Sequence, residues 1–192
     1  MADDATVARR FALDRGVVQE LMLDNEASGL VQRVEFCDAR GWALTEAGRR
    51  ENERLLAVEL DRARARPSVA ASHQAFLPLN SRLLDAITRW QMRPSPSDPM
   101  TANDHCDWKW DERVLESLAG LSRRVRPIEE RLTAELTRFG GYTDRRDAAL
   151  ARAERGERRW VDDPRIDSCH TVWFELHEDL LATLGFARGA EA

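Results

Sequence analysis

The 192-residue chain is almost without lysine: Lys109 is the only one, and arginine supplies the rest of its 29 basic residues. That bias fits a GC-rich genome rather than any particular chemistry. Cysteine is scarce as well. Cys37, Cys106 and Cys169 are odd in number and widely spaced, which excludes a disulfide framework and any CxxC or zinc pattern and fits a reducing cytosol. No apolar run approaches the roughly 20 residues of a membrane-spanning helix, and mean hydropathy is −0.54. The opening MADDATVARR is acidic and lacks the basic-then-apolar order of a signal peptide. These absences place the chain in the cytoplasm, without a membrane partner. A glycine-rich phosphate loop is missing, as is a serine or cysteine in a nucleophile motif. The chain therefore reads as no enzyme; a hydrolase using the adjacent Asp104 and His105 ranks far behind. Net positive charge is lacking too. A charge of −5 repels phosphate overall, yet permits a basic footprint on one face.

What is present centres on Gly29 to Arg50, GLVQRVEFCDARGWALTEAGRR. Gly29 is a helix stop. Val31, Arg33 and Glu35 alternate with Gln32, Val34 and Phe36, as on the two faces of a short strand. Cys37 to Gly41 is polar and long enough to reverse the chain, and Gly41 to Leu44 gives a second strand. Thr45 can N-cap the helix that follows, and Glu46 suits its positive end. Gly48 within that first turn implies a close backbone approach. Strand, loop, strand, then Leu-Thr-x-x-Gly-Arg opening a long helix resembles the end of the wing in a winged helix-turn-helix. On these residues the chain is similar to the MarR/PadR-type bacterial transcription regulators, and more closely to the two-domain regulators of high-GC actinobacteria. An unrelated β-hairpin leading into a helix is the alternative.

Upstream, Ala5 to Leu13 reads as a short helix. Asp14 is placed to cap a second, Arg15 to Ser28, in which Val17, Val18, Leu21 and Met22 recur at helical spacing. Two short helices across a tight turn, followed by a wing, make a helix-turn-helix order. The resemblance implies that the second helix enters the major groove of operator DNA while the wing touches the adjacent backbone or minor groove. It carries over Arg15 and Gln19 as readers of base edges, and Arg40 at the wing tip, with Arg33 and Arg9 elsewhere, as phosphate contacts. An ordinary solvated arginine is the other reading of each, given the neighbouring Glu20, Asp24 and Glu26. Two departures stand out. Asn25 sits where these families place an apolar residue. A further helix normally precedes the pair, whereas only Met1 to Asp4 do so here; either the native start lies upstream or another segment or subunit covers the apolar faces.

From Thr45 to about Arg66 a connecting helix follows, ended by Pro67, where the domain boundary is expected. The remainder reads as helices. Pro67 to Met92 offers Phe76, Leu77, Leu83, Leu84, Ile87 and Trp90 to a core, with a kink at Pro78. Asp111 to Arg138 carries Val114, Leu115, Leu118, Leu121, Val125, Ile128, Leu132 and Leu136. Thr143 is placed to cap a short charged helix. Arg145, Arg146, Arg152, Arg155, Arg158 and Arg159 interleave there with acids, as on a solvated, ion-paired face. Asp163 as N-cap and Pro164 at the first position open a last helix to Leu184.

On that last helix His170, Trp173, Phe174 and His177 recur at i, i+3, i+4 and i+7. Imidazoles two turns apart lie about 10 Å apart along the axis, too far to share a metal without ligands such as Asp85 or His73 from elsewhere. Satisfied core histidines are the reading, with no metal and no cofactor. The loop Asn103 to Trp108 is rich in polar chemistry, and Asp107 or Asp111 can cap the helix after it. The sequence thus predicts an effector pocket lined by Trp90, His170, Trp173 and His177 and closed by a loop carrying Asp104, His105 and Trp108.

The expected fold is mainly α: a winged helix-turn-helix over 1–45 with its first helix missing, a connecting helix over 46–66, and an α-helical domain over 67–192 for effector binding or dimerisation. The expected function is a DNA-binding transcription regulator, a homodimer joined through Leu56 and Leu60, with a small-molecule effector. The alternative is a helical adaptor that keeps a degenerate winged helix without binding DNA.

Overall fold

The computed structural model describes residues 2–36, 39–94, 98 and 100–186. The chain is mainly helical (72%), with seven α-helices and one two-stranded antiparallel sheet among the described residues. It divides into two compact units, Met1–Glu59 and Leu60–Ala192.

In the first unit, α1 (Asp4–Phe11) and α2 (Arg15–Ala27) pack together. Asp3 caps α1 by accepting from the Thr6 N–H at 2.8 Å, so α1 begins one residue before Ala5. Asp14 caps α2 as expected, accepting from Gly16 N–H at 2.7 Å and Val17 N–H at 3.3 Å. At the other end Gly29 turns left-handed at φ 71° and the Leu30 N–H reaches the Asn25 carbonyl, which closes off α2. The hairpin pairs β1 (Val31–Phe36) with β2 (Ala39–Leu44), Arg33 opposite Trp42 and Glu35 opposite Arg40. Two expectations change here. β2 begins before Gly41, because the ladder continues to Ala39, and Arg40 lies within β2 facing Glu35 rather than in the turn. Cys37 falls outside the described residues. Ala2 adds one antiparallel bridge to Trp42, whose indole N–H also donates to Asp4 at 2.7 Å.

α3 (Glu46–Ala63) opens as the sequence predicts. The Thr45 hydroxyl accepts from the Gly48 N–H at 3.0 Å and donates to the Gly29 carbonyl at 2.6 Å. A Cβ on Gly48 would lie 1.9 Å from the Leu30 carbonyl oxygen, so only glycine fits beneath the residue that leads into β1. The helix ends at Arg64, in left-handed conformation at φ 54°. Pro67 is therefore not the breaker; it sits in the first turn of α4 (Arg66–Gln91), where its missing N–H has no helical partner to lose.

The second unit is built from α4, α5 (Trp108–Glu135), α6 (Tyr142–Glu154) and α7 (Cys169–Leu184). α4 packs on α5 and α7, and α6 packs on the same two, so four helices close around one core. The apolar periodicity places Phe76, Leu83, Ile87 and Trp90 inside, with the α5 stripe from Val114 to Leu132; Leu84 turns outward instead. Leu60 is fully buried in this core, which removes it as a contact to a second subunit. α4 continues through Pro78 as one helix.

Three helix starts differ from expectation. α5 begins at Trp108, because the Asp107 carboxylate accepts from the N–H groups of Lys109 and Trp110, leaving Asp111 for another role. α6 begins at Tyr142 behind a left-handed Gly141, and Thr143 gives its hydroxyl to Glu129 instead of capping. α7 begins at Cys169, capped by Ser168, because Asp163 is engaged by the N–H and guanidinium of Arg165. The arginine-rich stretch is also less solvated than its composition implies. Arg146 is buried against Glu129 and donates to Ser122 Oγ at 3.0 Å, while Arg145 holds Asp167 and Glu175.

Candidate functional site

Chemistry gathers at two places, one in each unit. In the first unit, Gln19 of α2 and Arg33 and Arg40 of the hairpin line one surface depression of about 290 Å³, together with Trp42. Gln19 follows Val18, which is fully buried and fixes the rotation of α2, so Gln19 is left on the exposed side. The Arg33 guanidinium lies over the Trp42 ring, 4.8 Å from its centroid, and pairs with Glu26 at 3.6 Å. Arg40 pairs with its cross-strand neighbour Glu35 at 2.9 Å. Asp3 and Asp4 complete the lining. The Asp3 carboxyl is held below its ordinary range chiefly by its hydrogen bond to Thr6, with smaller pulls from Arg9 and Arg15. Of the five sequence-predicted residues, Gln19, Arg33 and Arg40 line this depression, whereas Arg9 and Arg15 are not among its lining residues. The face mixes arginine donors with carboxylates and is not purely basic.

In the second unit, the segment between α4 and α5 is clasped at its base. Arg93 N–H donates to the Thr101 carbonyl, and Asn103 N–H to the Gln91 carbonyl. The Asn103 side-chain amide then donates to the Trp90 carbonyl and to Asp111 Oδ1, both at 2.9 Å. His105 adopts a left-handed backbone, φ 58°, a conformation His tolerates better than most residues, with its N–H donating to Asn103 Oδ1. This turn brings His105 Nδ1 within 2.9 Å of Asp111 Oδ2 and its ring 4.5 Å from Trp90. Because a carboxylate only accepts, Nδ1 carries the hydrogen in the contact to Asp111. Arg158, just past α6, donates to the His105 carbonyl at 3.0 Å.

These groups border a cavity of about 480 Å³. Of the seven residues expected to form an effector pocket, Trp90, His105 and Trp108 line it. Asp104 does not: it is exposed, and its carboxylate is held below the usual range by the Cys106 N–H. Trp173 and His177 lie elsewhere in the same unit, packed on Phe76. The Trp173 ring stands 5.1 Å from Phe76 and its N–H donates to Asn80 at 3.1 Å; His177 stacks on His73 at 6.2 Å. His170 is half-buried, its ring pushed toward neutrality by burial, with Asp162 pulling the other way. None of His170, Trp173 and His177 lines this cavity, and Phe76 of α4 packs against the last two.

The polar lining that the sequence did not reveal is Asp111, Glu112, Glu116, Glu154 and Arg158. Three of these five carried a signal. Trp108, Asp111, Glu112, Leu115 and Glu116 follow i, i+3, i+4, i+7 and i+8 along α5, one continuous stripe. Nothing local marks Glu154 or Arg158, which arrive from the far end of α6. Cys169 is buried, and that burial pushes its thiol up to about 12. Among the described residues no three His, Cys, Asp or Glu side chains gather as a metal site, and no helix is long and apolar enough to cross a membrane. No family model, curated protein or solved structure matches the chain.

Proposed function

We propose that this chain is a cytoplasmic, DNA-binding transcription regulator of the winged helix-turn-helix, MarR/PadR-like type. Residues 1–45 read operator DNA, and the helical second unit serves as sensor and dimerisation domain. The observation that supports this best is the shared depression of Gln19, Arg33 and Arg40. It puts donors of α2 and of the hairpin on one face, as an element entering a groove with a wing beside it requires. Phosphates would replace Glu26 and Glu35 as partners of Arg33 and Arg40, exchanging exposed carboxylate pairs of small worth for charge-assisted contacts. The same carboxylates favour the second reading, an adaptor whose winged shape meets a protein instead of DNA. Selecting bound fragments from genomic DNA at low salt separates the two. A regulator retains a defined set of fragments, its affinity falls as salt rises, and Arg33→Ala or Arg40→Ala lowers the salt slope by about 1 each. Retention of no fragment, or binding indifferent to salt, sinks the DNA reading and leaves the adaptor.

A further inference from the structure

The 480 Å³ cavity of the second unit is within the range that holds a drug-sized molecule. Its walls are aromatic: Trp90 is nearly fully buried, and Trp108 stands at the mouth 65% exposed. Its charge is one-sided. Asp111 is answered by Asn103 and His105, but Glu112, Glu116 and Glu154 carry no ion pair among the described residues, and Arg158 is the one guanidinium on the lining. Three uncompensated carboxylates at a concave, partly apolar site concentrate cations and repel anions. The exposed indole already takes a cation, since Lys109 Nζ lies 5.6 Å from the Trp108 ring centroid.

We propose that this cavity binds a small organic cation with an aromatic or hydrophobic body, its charge facing Glu112, Glu116 and Glu154 and its body against the two indoles. The inference deepens the sensor role proposed above. Its test contains no DNA, so its failure is distinct from failure of the operator reading.

The test is calorimetric titration of the full chain at low salt with tetraphenylphosphonium and with tetraphenylborate, ions of matching shape and opposite charge. The phosphonium is expected to bind at one site and the borate at least tenfold more weakly. Replacing the three carboxylates together (Glu112→Gln, Glu116→Gln, Glu154→Gln) is expected to weaken the phosphonium about tenfold, the sum of three modest exposed attractions. All three side chains are exposed and glutamine is a comparable helix former, so circular dichroism should show the fold retained. Trp108→Ala should weaken both ions by removing the apolar wall. Equal binding of the two ions, undiminished binding by the triple variant, or no phosphonium binding overturns the proposal.

Discussion

Glu129 of α5 and Arg146 of α6 meet inside the helical unit with each side chain 3% exposed. Ser122 and Thr143 add hydrogen bonds to the pair, so the polar atoms brought out of water are answered. Removing one partner is far worse than removing both. Arg146→Met should lower the unfolding free energy by about 3–5 kcal/mol, because it leaves a buried carboxylate alone, and Glu129→Met added to it should restore most of that loss. Urea unfolding of the two variants checks this; a single variant as stable as the parent would mean that water reaches the pair. Arg146 also shows where reading residues in isolation stops. Its neighbours Arg145, Asp147 and Glu154 make the stretch look solvated, and its burial depends on Glu129, placed by the packing of a different helix.

Helix ends decide how the elements meet, and they were legible where the signal is local. Thr45 and Gly48 are such a case: the hydroxyl and the missing side chain both act within one turn of the β2–α3 junction. Gly48→Ala should therefore push the Leu30 carbonyl away and destabilise the first unit by about 1–3 kcal/mol, the usual range for overpacking. Hydrogen exchange should show lost protection for β1 and β2 amides while those of α5 and α7 keep theirs; unchanged protection in the hairpin would refute the close fit. The start of α7 is the opposite case. Asp163-Pro164 and Ser168 both carry capping chemistry five residues apart. Arg165 and Arg159 occupy the Asp163 carboxylate, which leaves Ser168 to cap. Capping propensity alone does not distinguish them.

At the scale of the molecule, apolar periodicity made the helical core legible, whereas the cavity was legible only in part: Trp90, His105 and Trp108 were, but Glu154 and Arg158 come from the far end of α6. Among the described residues of the first unit the buried apolar ones are Ala8 and Val18, while Phe11, Val17, Leu21 and Leu55 stay about half exposed. The proposed homodimer would cover such surface, through residues other than Leu60. Light scattering at micromolar concentration should then report twice 21.9 kDa; a mass of one chain counts against it. The bridge between Ala2 and Trp42 has a practical corollary. Its antiparallel sense directs a segment fused ahead of Ala2 toward the Leu44 end of β2, along a sheet edge that carries no other strand among the described residues. An affinity tag placed at the amino terminus would run beside the face expected to meet DNA and would compete for that edge.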